Sequence, residues 1–151
     1  MVNFWDTSAV VPLLIREEDS RERQAEFENT ARMVVWWATY IEGVSALCRR
    51  EREGNIDSQT FQAALNRLKA LADQWITVSP SQLILSRSER MLRIHPLRAA
   101  DAIQLAAAIL ASRDEPGDST FHTADSRLAE AAEKEGFTVV PPRSDRPNLS
   151  S

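Results

Sequence analysis

Five short apolar runs recur along the chain, and each is rich in residues that favour β-strands. The predicted strands cover residues 2–5, 33–36, 75–78, 119–122 and 137–140. Between them the apolar positions recur with the period of an α-helix. The predicted helices span about 7–15, 20–29, 38–53, 57–73, 80–93, 97–112 and 124–135. Strands that alternate with helices of this length form a parallel sheet covered on both faces, so the predicted fold class is α/β.

The ends of the predicted helices carry their own signals. Gly54 ends one helix, Asp57 or Ser58 caps the next, and Gly136 precedes the last strand. These signals agree with a single domain over residues 1–140, in which no internal repeat is found. The remaining residues, 141–151, contain three prolines and no apolar period, which predicts a flexible C-terminal tail.

Composition narrows the class of protein. The chain has 151 residues, of which 43% are hydrophobic and 26% charged, and this excludes a disordered chain. Its single cysteine, Cys48, excludes an intrachain disulfide. The most apolar helical stretch falls short of the roughly 20 residues that a membrane span needs. We therefore expect a soluble cytoplasmic protein with no membrane partner.

The charged residues are unevenly chosen. A net charge of -4 argues against a protein that grips nucleic acid with its whole surface. Only two of the 18 basic residues are lysines, Lys69 and Lys134, which leaves 16 arginines. Arginine is the better bidentate phosphate donor, although the codon bias of a GC-rich genome explains the excess equally well.

Acidic residues lie after the predicted strands, at the edge of the sheet where ligands bind in open α/β folds. Asp6 follows the first strand directly, Glu42 lies six residues after the second, and Asp125 lies three residues after the fourth. Asp101 lies early on a helix that is apolar on nearly all sides, and such a helix is buried. A carboxylate there must be paired or hold a cation. These four acids form the candidate site.

Each acid also has a structural explanation. Asp6 can cap the helix that follows it, and Asp125 can stabilise the first turn of the last helix. Glu42 can be one more charge on a solvated face, and Asp101 can pair with Arg98, three residues before it. The position of any single acid leaves these explanations open.

The helix that carries Glu42 places this residue beside the core. Its predicted buried stripe consists of the apolar residues Ile41, Val44, Leu47 and Cys48. Glu42 and Arg49 lie seven residues apart and share one flank of that stripe. We therefore expect Arg49 beside Glu42, and Arg98 beside Asp101, to contact phosphate.

Four carboxylates at one edge repel one another unless a cation neutralises them. Oxygen ligands without histidine or thiolate favour Mg²⁺ or Mn²⁺ over zinc. The two histidines, His95 and His122, lie outside the acidic set. A reaction at this site is therefore expected to use metal-activated water in place of histidine acid–base chemistry.

Four segments resemble the acidic motifs of PIN domains, most closely those of the VapC-like toxins of bacterial toxin and antitoxin pairs. The segments are Asp6-Thr7-Ser8-Ala9-Val10, Tyr40-Ile41-Glu42-Gly43-Val44, the stretch LRAADAIQLA at 97–106, and Thr123-Ala124-Asp125-Ser126-Arg127-Leu128. Their order and spacing extend over nearly the whole chain, and all four acidic positions are present.

The resemblance implies a five-stranded parallel sheet of order 3-2-1-4-5 and a metal-dependent endoribonuclease. The implied metal-binding and catalytic acids are Asp6, Glu42, Asp101 and Asp125, acting directly or through water. Thr7 and Thr123 would orient a carboxylate or a water molecule. Such a toxin would cleave RNA, form a homodimer and be silenced by a cognate antitoxin protein. Two alternatives stay open: a non-catalytic PIN-like RNA-binding or interaction module, and a housekeeping RNA-processing nuclease.

One further segment suggests where a partner binds. Residues 20–30 alternate charges around few apolar positions, which predicts a weakly anchored helix. Trp36, Trp37 and Tyr40 add aromatic side chains beside the helix of Glu42. Aromatic residues are enriched at interfaces, so we expect this helix and the aromatic residues to form one surface that captures an antitoxin segment. The alternative is that one of the tryptophans lies in the core.

Overall fold

The computed structural model of the chain describes residues 1–143. Five parallel strands form one sheet in the order β3-β2-β1-β4-β5. The strands are β1 (Asn3–Trp5), β2 (Met33–Trp36), β3 (Ile76–Val78), β4 (Thr120–His122) and β5 (Thr138–Val140). The predicted α/β class and the strand order 3-2-1-4-5 are confirmed. Residues 144–151 lie outside the described part of the chain, so the flexible tail stays a prediction.

Helices connect the strands and cover both faces of the sheet. They are α1 (Thr7–Leu14), α2 (Ser20–Glu28), α3 (Thr39–Arg52), α4 (Ser58–Ala72), α5 (Gln82–Ile94), α6 (Ala99–Ala111) and α7 (Ser126–Lys134). A 3₁₀ turn at Pro116–Asp118 precedes β4. Within residues 1–143, no helix is long and apolar enough to cross a membrane.

Two hydrophobic cores lie on the two faces of the sheet. Successive residues of a strand point to opposite faces, and β1 shows this directly. Phe4 packs with α5, α6 and α7 on one face, whereas Trp5 packs with α1, α3 and α4 on the other. Both side chains are fully buried. The central strand therefore ends, just before Asp6, between two packed layers of helices.

The buried stripe of α3 differs from the predicted one. Its buried residues are Thr39, Gly43 and Leu47, while Ile41 is 60% exposed. The reason is the close packing of α4: a Cβ atom on Gly43 would lie 3.1 Å from the Leu68 Cδ2 atom. A glycine without a side chain is invisible to a hydrophobic pattern, although here it marks the line of closest helix contact.

The prediction that α2 is weakly anchored is wrong. Arg23 is only 2% exposed and donates hydrogen bonds to backbone carbonyls at the ends of β4 and β5. Phe27 adds an edge-on contact with Trp5. Trp37 is 58% exposed, and its backbone N–H donates a hydrogen bond to the carbonyl of Val78 in β3. Because β1 and β2 separate β3 from β4 and β5 in the sheet, α2 and Trp37 do not form the single surface that the sequence suggested.

Candidate active site

Asp6 lies at the carboxyl end of the central strand and is built into the start of α1. Its carboxylate caps the helix by accepting a hydrogen bond from the Ser8 backbone N–H at 3.1 Å. It also accepts hydrogen bonds from the Ser8 hydroxyl, at 2.6 Å, and from the Thr123 hydroxyl. Burial raises the pKa of the Asp6 carboxyl, and these hydrogen bonds oppose the rise. The expected capping role is therefore real, and it occupies both carboxylate oxygens.

The hydroxyls that reach Asp6 also tie two loops together. The Ser8 Oγ atom accepts a hydrogen bond from the Ala124 N–H at 2.8 Å, and the Thr123 Oγ1 atom accepts one from the Asp125 N–H at 3.0 Å. Asp125 in turn caps α7, because its Oδ1 atom accepts from the N–H groups of residues 127 and 128. The turn after β1 and the turn after β4 thus share one hydrogen-bond network around Asp6.

Glu42 faces the same edge from α3. Its Oε1 atom accepts a hydrogen bond from the Gln104 Nε2 atom at 3.0 Å, and the same amide nitrogen reaches the hydroxyls of Thr7 at 3.2 Å and Thr39 at 3.4 Å. Burial raises the pKa of Glu42, the charges of Asp6 and Asp101 raise it further, and the Thr7 and Gln104 side chains oppose the rise. Glu42 is therefore held in place and is not a solvated surface charge.

Asp101 lies in the first turn of α6 and is half-buried. Burial, and then the charges of Asp125 and Asp6, raise its pKa from 3.8 to about 6, with Arg98 opposing the rise. Arg98 is exposed and forms no ion pair with Asp101 within 4 Å. Within residues 1–143 the Asp101 carboxylate accepts no hydrogen bond. The structural explanation by pairing with Arg98 therefore fails.

All four candidate acids thus lie near one another at the carboxyl edge of the sheet, and we call these four residues the acidic edge. The charges of Asp6, Asp101 and Asp125 each raise the pKa of at least one other acid of this set. The sequence of the chain matches the PIN domain over residues 4–134. The chain belongs to the PIN domain family. PIN domains are generally nucleases and typically use divalent metal ions.

The PIN fold is also seen in a solved structure. This chain is similar to the crystal structure of FitAcB from Neisseria gonorrhoeae, with a TM-score of 0.63 and 15% sequence identity. The alignment covers 92% of this chain and 96% of that one. At this identity the likeness concerns the fold alone. No curated protein sequence matches this chain significantly.

The donor set of this PIN domain suits a hard divalent cation. Every candidate ligand is a carboxylate oxygen, and the charge on Asp101 lacks a bonded partner among the described residues. As they are placed, no three His, Cys, Asp or Glu side chains of residues 1–143 converge closely enough to surround one ion. Mg²⁺ usually binds one or two carboxylates and keeps several waters, so the arrangement fits an ion held partly through water.

Arginines border the acids of the PIN domain on two sides. Arg49 and Glu42 line one groove, and Arg98 and Arg127 line a second, and Asp101 lies in both. Arg98 and Arg127 are exposed and form no ion pair with the described residues. Both arginines chosen from the sequence therefore lie beside the acids, and Arg127 is a third that sequence reasoning missed.

The two histidines take no part in the acidic edge. His95 ends α5 and forms a hydrogen bond with the Glu135 carboxylate at 2.9 Å. His122 stacks on Trp5 with ring centroids 4.2 Å apart, and burial lowers its pKa. The placement of both histidines agrees with their exclusion from the predicted site.

Sequence reasoning missed three further polar residues that hold the acids: Ser8, Thr39 and Gln104. The signal for Gln104 was present, because it interrupts an apolar helix three residues after Asp101 and therefore lies on the same helix face. Ser8 and Thr39 carry no comparable signal, since serine and threonine are common at the first turn of any helix.

Proposed function

We propose that this PIN domain is a metal-dependent endoribonuclease that acts in the cytoplasm as the toxin of a VapC-like toxin and antitoxin pair. The observation that carries the proposal is the coupled acidic edge, above all Asp101, a half-buried carboxylate with a raised pKa and no bonded partner among residues 1–143. A half-buried carboxylate without a hydrogen bond or ion pair is costly in a purely structural role. The same group is useful when a cation binds.

In this proposal Asp6 and Asp101 would hold Mg²⁺ or Mn²⁺, and Glu42 and Asp125 would contribute directly or through water. A bound metal ion would lower the pKa of a water molecule and stabilise the negative charge that develops at the phosphoryl group. The protein supplies the geometry. Its own hydrogen bonds fix two of the acids before any cation arrives.

Different polar side chains orient the carboxylates of Asp6 and Glu42. Ser8 and Thr123 orient the carboxylate of Asp6, and Thr7 and Gln104 orient that of Glu42. Preorganised groups of this kind avoid rearrangement during the reaction. On either side, Arg49, Arg98 and Arg127 are placed to bind phosphates of the RNA strand.

The antitoxin is proposed to bind next to this edge. Trp37 and Ile41 are 58% and 60% exposed, and both lie within five residues of Glu42. Exposed aromatic and aliphatic side chains beside a catalytic acid favour a partner that covers both at once. The homodimer is proposed to form elsewhere, since Leu85 and Leu92 leave exposed apolar side chains on the outer face of α5.

A cleavage assay with end-group analysis tests the proposal. Purified protein with Mg²⁺ or Mn²⁺ should cut single-stranded RNA and leave a 5′-phosphate and a 3′-hydroxyl, because water attacks phosphorus and the bond from phosphorus to the 3′-oxygen breaks. EDTA should abolish cleavage, and so should co-expression with the product of the neighbouring reading frame. Mass spectrometry of the fragments reads the ends.

The same assay separates the alternatives. RNA binding without cleavage at any metal concentration would indicate a non-catalytic module. Cleavage that the neighbouring gene product does not inhibit would favour a housekeeping nuclease. A 2′,3′-cyclic phosphate end would rule out water as the nucleophile at this site.

A further inference from the structure

Arg23 is a buried cation in a helix that otherwise presents polar residues to solvent. Its side chain is 3% exposed, although it lies in the middle of α2, which has no other buried residue. Two acids balance its charge: Glu26 of α2 lies 3.0 Å from Nη1, and Asp19, the residue before α2, lies 3.4 Å from Nε. Because these acids balance its charge, the guanidinium can stay buried and use its remaining N–H groups as hydrogen-bond donors.

The guanidinium binds two backbone carbonyls at the carboxyl edge of the sheet. Nη2 donates to the Thr123 carbonyl at 2.9 Å, and Nη1 donates to the Val140 carbonyl at 3.1 Å. The Val140 carbonyl also accepts from the Thr123 N–H at 3.2 Å. Arg23 thus joins the ends of β4 and β5 and holds both sides of the Thr123 backbone.

Thr123 is the residue whose hydroxyl donates to Asp6. It is completely buried, so its side chain can be aimed only by its backbone and its neighbours. A chain of direct contacts therefore runs from Arg23 through Thr123 to Asp6, across segments that are 100 and 117 residues apart in sequence.

We propose that Arg23 is a positioning residue of the active site, which fixes Thr123 so that its hydroxyl holds the Asp6 carboxylate for cation binding. The inference rests on the proposed function. The planar fork of arginine reaches two carbonyls at once, whereas a lysine ammonium on a flexible stem does not reproduce that geometry. Small displacements matter at such a site, since a misplacement of about 1 Å can cost on the order of 100-fold in rate.

Arg23→Lys tests the proposal against two matched controls. Arg21→Lys makes the same change on the exposed side of the same helix, and Phe27→Ala removes the ring contact between α2 and Trp5 while keeping Arg23 and its two carbonyl acceptors. We expect Arg23→Lys to keep its fold by circular dichroism, to lower kcat about tenfold with KM unchanged, and to weaken Mn²⁺ binding in calorimetry several-fold. Arg21→Lys should change none of these values, and Phe27→Ala should lower only the melting temperature.

A double-mutant cycle with Thr123→Val shows whether Arg23 acts through Thr123. Thr123→Val removes the hydroxyl through which Arg23 is proposed to act. In that background Arg23→Lys should therefore have no further effect on kcat or on Mn²⁺ affinity. If Arg23→Lys does not fold, Arg23→Gln takes its place in the cycle.

Three results would overturn the inference. They are additive effects in the cycle, unchanged Mn²⁺ affinity in Arg23→Lys, and equal losses of kcat in Arg23→Lys and Phe27→Ala. If the unmodified protein cleaves no RNA, the nuclease proposal fails by itself. The Mn²⁺ titrations of the same variants then still decide the role of Arg23.

Discussion

Asp6 and Asp101 lie at the same edge of the sheet, yet the protein surrounds them differently. Asp6 is nearly fully buried and accepts hydrogen bonds from one backbone N–H and two hydroxyls. Asp101 is half-buried, and within residues 1–143 it accepts none. Burial raises the pKa of both carboxyls, but only Asp6 has hydrogen bonds that oppose the rise.

The difference separates two uses of a carboxylate within one site. Asp6 stabilises the native structure as a helix cap and as the acceptor for the hydroxyls of Ser8 and Thr123. Asp101 gives no such stabilisation, and its charge is compensated only from a distance by Arg98. A bound cation would therefore change the surroundings of Asp101 far more than those of Asp6.

The largest expected effect is on cation affinity. Asp101→Asn should weaken Mn²⁺ binding at least about tenfold and more than Asp6→Asn does, because the Asp101 oxygens are not already engaged as acceptors. Isothermal titration calorimetry measures both affinities, with the exposed Asp73→Asn as a control of equal charge change. Equal losses in the two site variants would remove the distinction between the two carboxylates.

The next effect is on stability, and its sign should differ between the two positions. Without metal, Asp6→Ala should lower the free energy of unfolding by about 1–2 kcal/mol, since it removes the cap of α1 and the acceptor for the Ser8 and Thr123 hydroxyls. Asp101→Ala should raise it by up to about 1 kcal/mol, because a repelled charge is replaced by a strong helix former. Urea unfolding in EDTA near neutral pH measures both. Destabilisation by Asp101→Ala would show that Asp101 has a structural role.

The smallest effect concerns pH. In the metal-free protein the raised pKa of Asp101, about 6 against 3.8, stabilises the fold below about pH 4, and this contribution is lost as the pH rises through about 6. The free energy of unfolding of the unmodified protein should therefore fall relative to that of Asp101→Asn between pH 4 and pH 7. For a half-exposed group the fall is about 1 kcal/mol once solvent screening is included.

Urea unfolding of the pair at several pH values checks this expectation. Glu42 and Asp6 titrate in both proteins, and since their charges interact with that of Asp101, the comparison measures Asp101 together with this interaction. Saturating Mn²⁺ should remove the fall in the free energy of unfolding with pH in the unmodified protein. It should leave the pH dependence of Asp101→Asn unchanged. A constant difference from pH 4 to pH 7 would contradict the raised pKa of Asp101.

The strands followed from the sequence because their signals are local, whereas the order of the sheet was implied by the resemblance to PIN domains. Runs such as 33–36 stand out as short apolar blocks, and each strand lies within one residue of its predicted bounds. The line of contact on α3 did not follow, since Gly43 contributes by having no side chain at all. Ile41 was predicted to be buried because it is apolar, but α4 packs against the Gly43 side of α3 and leaves Ile41 exposed.

The acids of the site were also visible in the sequence, but the residues that hold them were not. Asp6 and Asp101 carry charges that demand an explanation wherever they are buried. Arg23 looks like one more surface charge of a polar helix, and its role depends on carbonyls about 100 residues away. Sequence periodicity describes the face of a helix and contains no information about such a distant partner.

The hydrogen bond between Thr123 and Asp6 spans 117 residues, and this bears on the order in which the protein is made. During synthesis, β1 and α1 emerge first, while β4, α7 and β5 are still to be translated. Until they arrive, Asp6 lacks the hydroxyl of Thr123, Asp101 lacks the neighbouring charge of Asp125, and Arg23 lacks its carbonyls. A growing chain therefore has no assembled acidic edge, and the ribosome must translate past Val140 before all of these contacts can form.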